Sequence, residues 1–282
     1  MSYPRDDVLV STEWLAEHLQ AADLKVIDGS WYLPAEKRDA EAEYAAAHIP
    51  GAVFFDIDTI ADTASALPHM FPDAAVFAAA VGGLGVSNRD RVVCCDGGNM
   101  SAAGRVWWMF RAFGHERVAV LNGGARKWRR EGRPMTDAPT EVVTGNFRAQ
   151  DDPALVRTVA DVLSVISSGE EQILDARSAG RFAGTAPEPR AGLRGGHMPG
   201  ACNLPYTDLL AADGTMKPAG ELAELFRKSG ISLERPVVTS CGSGVSATVL
   251  LLGLHLLGHR GGSLYDGSWA EWGGRQDTPV VT

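Results

Sequence analysis

Four blocks of this 282-residue chain occur twice, in the same order and at nearly constant spacing. VIDGSW around Asp28 returns as ILDARS around Asp175, and HIPGAVFFDIDTI from His48 returns as HMPGACNLPYTDLL from His197. LGVSNRDRVVCCD, ending at Asp96, returns as SGISLERPVVTSC, ending at Cys241. FGHERVAVLNGGARKW, ending at Trp128, returns as LGHRGGSLYDGSWAEW, ending at Trp272, so the four offsets are 147, 149, 145 and 144 residues. A repeat of this length means one structural unit written twice, and any fold must fit both copies.

The grammar of each copy points to an α/β fold. A polar start (Ser11 and Thr12 before WLAEHL, Thr158 before VADVLSVI) opens a helix that leads to a short strand. A His-x-Pro-Gly turn and another short apolar strand follow, then a helix, a buried strand, a turn, a helix and a last strand. Strands alternating with helices imply two tandem domains, each a mainly parallel sheet flanked by helices on both faces. The boundaries fall at 1–134 for the first domain and 156–282 for the second. Residues 135–155 lack a strong period and are rich in polar and turn residues; they read as a linker wrapped over one or both domains.

Composition narrows the function. A net charge of −9 with no basic run argues against nucleic acid, and no apolar stretch reaches membrane-spanning length. The N-terminus MSYPRDDVLV has no charged-then-apolar leader, which predicts a cytoplasmic protein. Four cysteines, Cys94, Cys95, Cys202 and Cys241, form neither a CxxC pair nor a His/Cys metal spacing. No metal and no cofactor are expected. Cysteine chemistry, rather than a cysteine scaffold, is what remains.

Cys241 closes the apolar run from Pro236 to Ser240 and precedes Gly242, Ser243, Gly244, Val245 and Ser246, where a long apolar helix begins. A thiol at a strand-to-helix turn lies at the carboxyl end of a sheet, where α/β folds place ligands. Backbone N–H groups curling around that point favour a thiolate over a thiol. The equivalent position in the first copy is Asp96, which cannot act as a sulfur nucleophile. Only the second domain can use the thiol, and the first is expected to shape one wall of the cleft.

HIPGAVFFDID, RVWWMFRAFGH, DARSAGRF, the PEPR segment before GHMPG, and YDGSWAEW together resemble the tandem-domain members of the rhodanese family of sulfurtransferases, over nearly the whole chain. The loop CGSG resembles that of the 3-mercaptopyruvate branch, since the thiosulfate-preferring branch carries basic residues directly after the cysteine. The resemblance implies an enzyme that takes sulfur from a keto-acid thiol, holds it as a persulfide on Cys241 and passes it on. The acceptor would be a thiol, such as thioredoxin or a small dithiol, or cyanide. Thiosulfate sulfurtransferase, or a persulfide-carrying module without turnover, is the alternative. A cysteine phosphatase or arsenate reductase needs an arginine six residues past the cysteine, where this chain has Ala247.

The family pattern puts Arg181 and Arg190 on the substrate carboxylate and keto oxygen, as suits guanidinium forks. The backbone from Gly242 through Gly244, Val245 and Ser246 would surround the sulfur. Ser243 resembles the serine that passes the substrate thiol's proton, with Asp58 and His69 completing a relay from the first domain. Other residues read as structural: Arg177 as a loop brace, His48 and His197 as parts of turns present in both copies, Trp107 and Trp108 as core. Arg194 reads as solvated, and Asp266 and Ser268 as turn residues.

Overall fold

The computed structural model describes residues 3–282. The first sheet is built from β1 (Leu9–Val10), β2 (Leu24–Asp28), β3 (Ala52–Phe54), β4 (Arg91–Cys95) and β5 (Val118–Leu121). The second is built from β6 (Val156–Arg157), β7 (Gln172–Asp175), β8 (Cys202–Asn203), β9 (Val237–Ser240) and β10 (Gly262–Tyr265). Their orders, β1-β5-β4-β2-β3 and β6-β10-β9-β7-β8, are the same permutation, and every pairing is parallel. The duplication seen in the sequence is therefore a duplication of topology.

Helices α1 (Thr12–His18), α2 (Ala40–Ala46), α3 (Ala74–Gly83), α4 (Ser101–Ala112) and α5 (Gly124–Arg130) serve the first sheet. Helices α6 (Val159–Ser168), α7 (Ala179–Phe182), α8 (Ala219–Lys228), α9 (Ala247–Leu256) and α10 (Ser268–Trp272) serve the second. The polar starts act as caps: the Ser11 hydroxyl accepts from Trp14 N–H at 3.1 Å, and Thr158 forms a reciprocal capping box with Asp161. Register aligns the ends of the central strands, with Asp28 opposite Cys95 and Asp175 opposite Ser240. The loops that follow β7 and β9 thus leave the same edge, where the crossover direction reverses and a crevice opens.

The adjacent Cys94 and Cys95 point to opposite faces, as strand alternation requires, and enter different hydrophobic clusters. Both are fully buried, and burial pushes both thiols well up. The segment after α5 lies over the first unit. Its Thr136 exchanges backbone bonds with His48, Gly145 donates to Gly82 at 2.8 Å, and Phe147 is buried against Phe77 and Phe110.

The largest core cluster is shared by both units, because the apolar helices α4 and α9 pack on each other across the interface. Their approach is close: a β-carbon at Gly104 would stand 2.9 Å from Thr248 Oγ1. Beside that contact, Arg105 of α4 crosses to Asp266 of the second unit at 2.7 Å, with both side chains at most 3% exposed. Asp266 also accepts from Phe71 N–H at 2.6 Å. Removing one partner of such a buried pair leaves the other charge uncompensated, at about 3–5 kcal/mol. Arg105→Met is accordingly expected to lower the denaturation midpoint sharply, and the added Asp266→Asn change should recover part of the loss. Additive losses in that double-mutant cycle would show that the two side chains do not support each other.

Candidate active site

Cys241 follows β9 and is 1% exposed. Ser268, at the start of α10, organises the turn. Its hydroxyl accepts the N–H groups of Cys241 and Gly244, each at 3.1 Å, and donates to the Tyr265 carbonyl at 2.8 Å. Trp269 and Ala270 N–H groups bond the carbonyls of Cys241 and Gly242 at 3.0 and 2.8 Å. Gly244 has a left-handed φ of 73°, and a β-carbon there would meet the Asp266 carbonyl oxygen at 2.8 Å, so the position demands glycine. Ser268 itself holds a φ of 49°, the kind of strain that ordered sites retain.

With Gly244 N–H turned to Ser268, the amides of Gly242, Ser243, Val245 and Ser246 have no acceptor in the protein among the described residues. The first copy shows what such a loop holds. There the Asp96 carboxylate accepts N–H groups from Gly98 at 3.0 Å, Met100 at 3.2 Å and Ala103 at 2.9 Å. Burial raises the Asp96 carboxyl and those donors oppose the rise. In the first unit the anion is built into the chain; in the second it must come from the sulfur or a ligand.

The cavity over Cys241 is lined from both units. Trp31, Gly98, Asn99 and Ser101 come from the first, and Arg181, Arg190, Tyr206 and the Cys241–Ser246 loop from the second. Tyr206 accepts from the Asn99 amide across the interface, and burial pushes its phenol up to about 12. Arg190 is half-buried, has no salt-bridge partner among the described residues, and has its pKa lowered chiefly by burial, against the pull of Cys241. Arg181 is held differently. Its guanidinium bonds Glu188 at 2.5 Å and lies against the loop, so that a β-carbon at Gly242 would be 3.0 Å from its Nη2.

Glu188 also takes Arg177 at 2.8 Å, and Arg177 forks onto Asp175, bonds the Gly196 carbonyl and stacks on Trp269. Arg177 is a buried brace, as its sequence position suggested. Arg194 is not solvated: it donates to the carbonyls of Gly273, Trp272 and Thr278 and ties the C-terminal segment to its own loop. Carbonyls left free at the end of α10 have recruited it. His48 and His197 are turn residues, stacked on Tyr44 and Phe182.

Asp58 and His69 meet, with His69 Nδ1 2.9 Å from Asp58 Oδ1, and that bond is the main cause holding the Asp58 carboxyl below its usual range. Trp31 covers the pair: its indole N–H donates to Asp58 at 2.9 Å and its ring meets His69 edge-on. Among the described residues neither Asp58 nor His69 lines the cavity or bonds Ser243. What brings His69 to the loop is Arg105, which donates both to the His69 carbonyl and to the Gly244 carbonyl at 3.2 Å.

Nothing in the sequence singles out Arg105, and Asp266 and Ser268 read there only as turn residues; their further roles depend on the far copy or on one hydroxyl in the turn. Asp266 and Ser268 stand where the first copy has Asn122 and Gly124, and that difference is the signal of a duty specific to the second unit. Ser268→Ala would leave two buried N–H groups unpaired, at about 1–3 kcal/mol. Its urea midpoint should fall accordingly, and an unmoved midpoint would mean that the loop is held by other contacts.

Comparison with known proteins agrees with this duplicated layout. The model of the rhodanese-like domain matches twice, at residues 11–131 and 158–275. The chain belongs to the rhodanese family. This rhodanese-family chain is 45% identical to the 3-mercaptopyruvate sulfurtransferase of Homo sapiens, over 94% of its length and 91% of the relative's. It is 44% identical to the thiosulfate sulfurtransferase of Cricetulus griseus, again over 94% and 91%. Among solved structures, SseA from Escherichia coli, described under 3-mercaptopyruvate sulfotransferases, superposes with a TM-score of 0.86 at 40% identity, covering 95% of this chain and 99% of that one. No helix among the described residues is long and apolar enough to cross a membrane, and among them no three His, Cys, Asp or Glu side chains cluster so as to hold a metal ion.

Proposed function

We propose that this rhodanese-family chain is a 3-mercaptopyruvate sulfurtransferase acting through Cys241. The observation that carries the reading is the set of loop amides beside the thiol that have no acceptor among the described residues, under a cavity with an arginine that has no salt-bridge partner among them. The Cys241 thiolate attacks the sulfur of 3-mercaptopyruvate. The carbon–sulfur bond breaks, and its electron pair leaves on pyruvate as the enolate, which then takes a proton. The sulfur stays as a persulfide whose charge meets the amides of Gly242, Ser243, Val245 and Ser246. A second nucleophile, a thiol or cyanide, attacks the outer sulfur and returns the Cys241 thiolate.

Arg190 receives the donor's carboxylate and keto oxygen, with Arg181 at its side. Ser243 moves the donor's thiol proton. His69 Nδ1 lies 2.9 Å from Asp58 Oδ1, and its Nε2 is buried without a hydrogen-bond partner among the described residues. We assign it the outer end of that proton route, in the manner of an imidazole oriented by a carboxylate. The four free cysteines suit a reducing, cytoplasmic setting.

Relatives named for either donor are about equally similar to this chain, so the donor must be argued from the loop. Gly242 and Ser243 offer no cation to the second charge of thiosulfate. One charge-assisted contact is worth about ten- to a hundred-fold, so steady-state kcat/KM should favour 3-mercaptopyruvate by at least that factor. Ser243→Lys should move the ratio toward thiosulfate. Equal efficiency on both donors in the unaltered protein would remove the keto-acid assignment while leaving sulfur transfer standing.

A further inference from the structure

A second cavity lies between the two units, at the ends of α4 and α9 remote from Cys241. On its wall, Trp107 and Trp108 of α4 are each 2% exposed, and neither indole N–H has a hydrogen-bond partner among the described residues. His255, in the last turn of α9, and His259 just beyond it also line the space, each with a buried Nε2 without a partner among the described residues. Buried polar groups are nearly always satisfied by protein, water or ligand. Four orphan ring nitrogens around one space therefore ask for an occupant.

The charges on the wall indicate its sign. Arg111 is half-buried one turn beyond Trp107, with its guanidinium carbon 5.5 Å from that ring. Among the described residues it has no carboxylate within 4.0 Å and no side-chain hydrogen bond. Helix-end carbonyls do not occupy it either. Those of Met109, Phe110 and Arg111 are capped by backbone N–H groups, as are those of Gly253, Leu254 and His255 on α9. Arg5 and Arg260 share the wall with a single acid, Glu116, and Arg5 is paired with Asp7 at 3.0 Å. Burial, with Arg111 and Arg5 nearby, lowers His255 to about 4, so it is neutral near pH 7. Glu116, Asp7 and Asp152 are the acids that pull on Arg111, none of them within 4.0 Å of it, and Glu116 and Arg260 are exposed. Among the described residues Arg111 is thus a half-buried cation on this wall without an ion-pair partner. Leu155, Leu251 and Leu254 make the remaining wall apolar.

We propose that this interdomain cavity binds a small organic monoanion, a carboxylate on an apolar body, with Arg111 and the Trp107 indole N–H on the carboxylate. The leucines and indole faces hold the body. The site is separate from the sulfur-transfer reading and would stand if that reading fell. An occupant would fasten α4 to α9: the Arg105 guanidinium lies 4.6 Å over the Trp108 ring, and the Cys241 loop leads into the far end of α9.

Phenylacetate is a suitable probe, titrated into the full chain by calorimetry and by the indole N–H resonances of Trp107 and Trp108. A saturable site that shifts those resonances is expected. Arg111→Met and Trp107→Phe should each weaken it by about ten- to a hundred-fold, the loss of one charge-assisted or buried hydrogen bond, whereas Arg190→Ala should leave it unchanged. Should Arg111→Met fail to fold, Trp107→Phe, which keeps an aromatic ring in place, carries the test. Unaltered affinity in the foldable variants overturns the proposal. So does binding that is lost in Arg190→Ala, which would place phenylacetate in the cleft over Cys241, or the absence of saturable binding.

Discussion

Cys241→Ser is expected to abolish turnover while leaving the denaturation curve close to that of the unaltered protein. The hydroxyl nearly matches the thiol in size, and Cys241 supports the loop through its backbone: its N–H bonds Ser268 and its carbonyl accepts from Trp269. What the serine lacks is the ability to hold a second sulfur as a persulfide. Mass spectrometry of the unaltered protein after donor treatment should find one added sulfur, on the peptide containing Cys241. The other three cysteines are poorly placed to compete, since burial raises the thiols of Cys94, Cys95 and Cys202 and withholds the thiolate. Added sulfur on any of those three would displace the assignment.

Arg190→Ala should produce the next largest effect, a fall in kcat/KM for 3-mercaptopyruvate of about ten- to a thousand-fold, from typical costs of about 1.5–4 kcal/mol for a lost charged or oxyanion contact. Arg190 lines the cavity and has no salt-bridge partner among the described residues, so its donors are available to a carboxylate. Part of the loss should appear in kcat, because the contact to the keto oxygen strengthens as the enolate forms. Arg181→Ala should lose less on binding, as its fork is already turned to Glu188. Alkylation of Cys241 by a small neutral reagent should change far less than donor use in either variant, because the loop amides without an acceptor among the described residues remain in both. Near-normal kinetics in Arg→Lys variants at both positions would make these arginines structural and leave the carboxylate without its assigned partner.

Much of the molecule could be read along the chain. The repeat, the strand–helix alternation and the caps at Ser11 and Thr158 are local or periodic features, and the two identical five-stranded sheets carry them out. Cys241 could be located because a buried strand ending in Cys-Gly-Ser-Gly is itself a local signal. The replacement of cysteine by Asp96 marked the first copy as the one without the thiol. Arg177 could be read as a brace from its place just after a strand.

Contacts between the copies left little trace in the sequence. Nothing local says that Arg105 on α4 will find Asp266, more than a hundred residues away, or that the same guanidinium will hold both the His69 and the Gly244 carbonyls. Arg181 and Arg190 look alike in a basic stretch, and only the folded position of Glu188 occupies one and leaves the other open. Arg194 looked solvated for the same reason: its partners are carbonyls freed at a helix end some eighty residues on. The sequence by itself determined what recurs with a period or sits within one turn: the α/β class, the duplication, and the thiol at a strand end. The tertiary structure alone decided which charges are spent on one another, because that depends on distances through space that no spacing along the chain encodes.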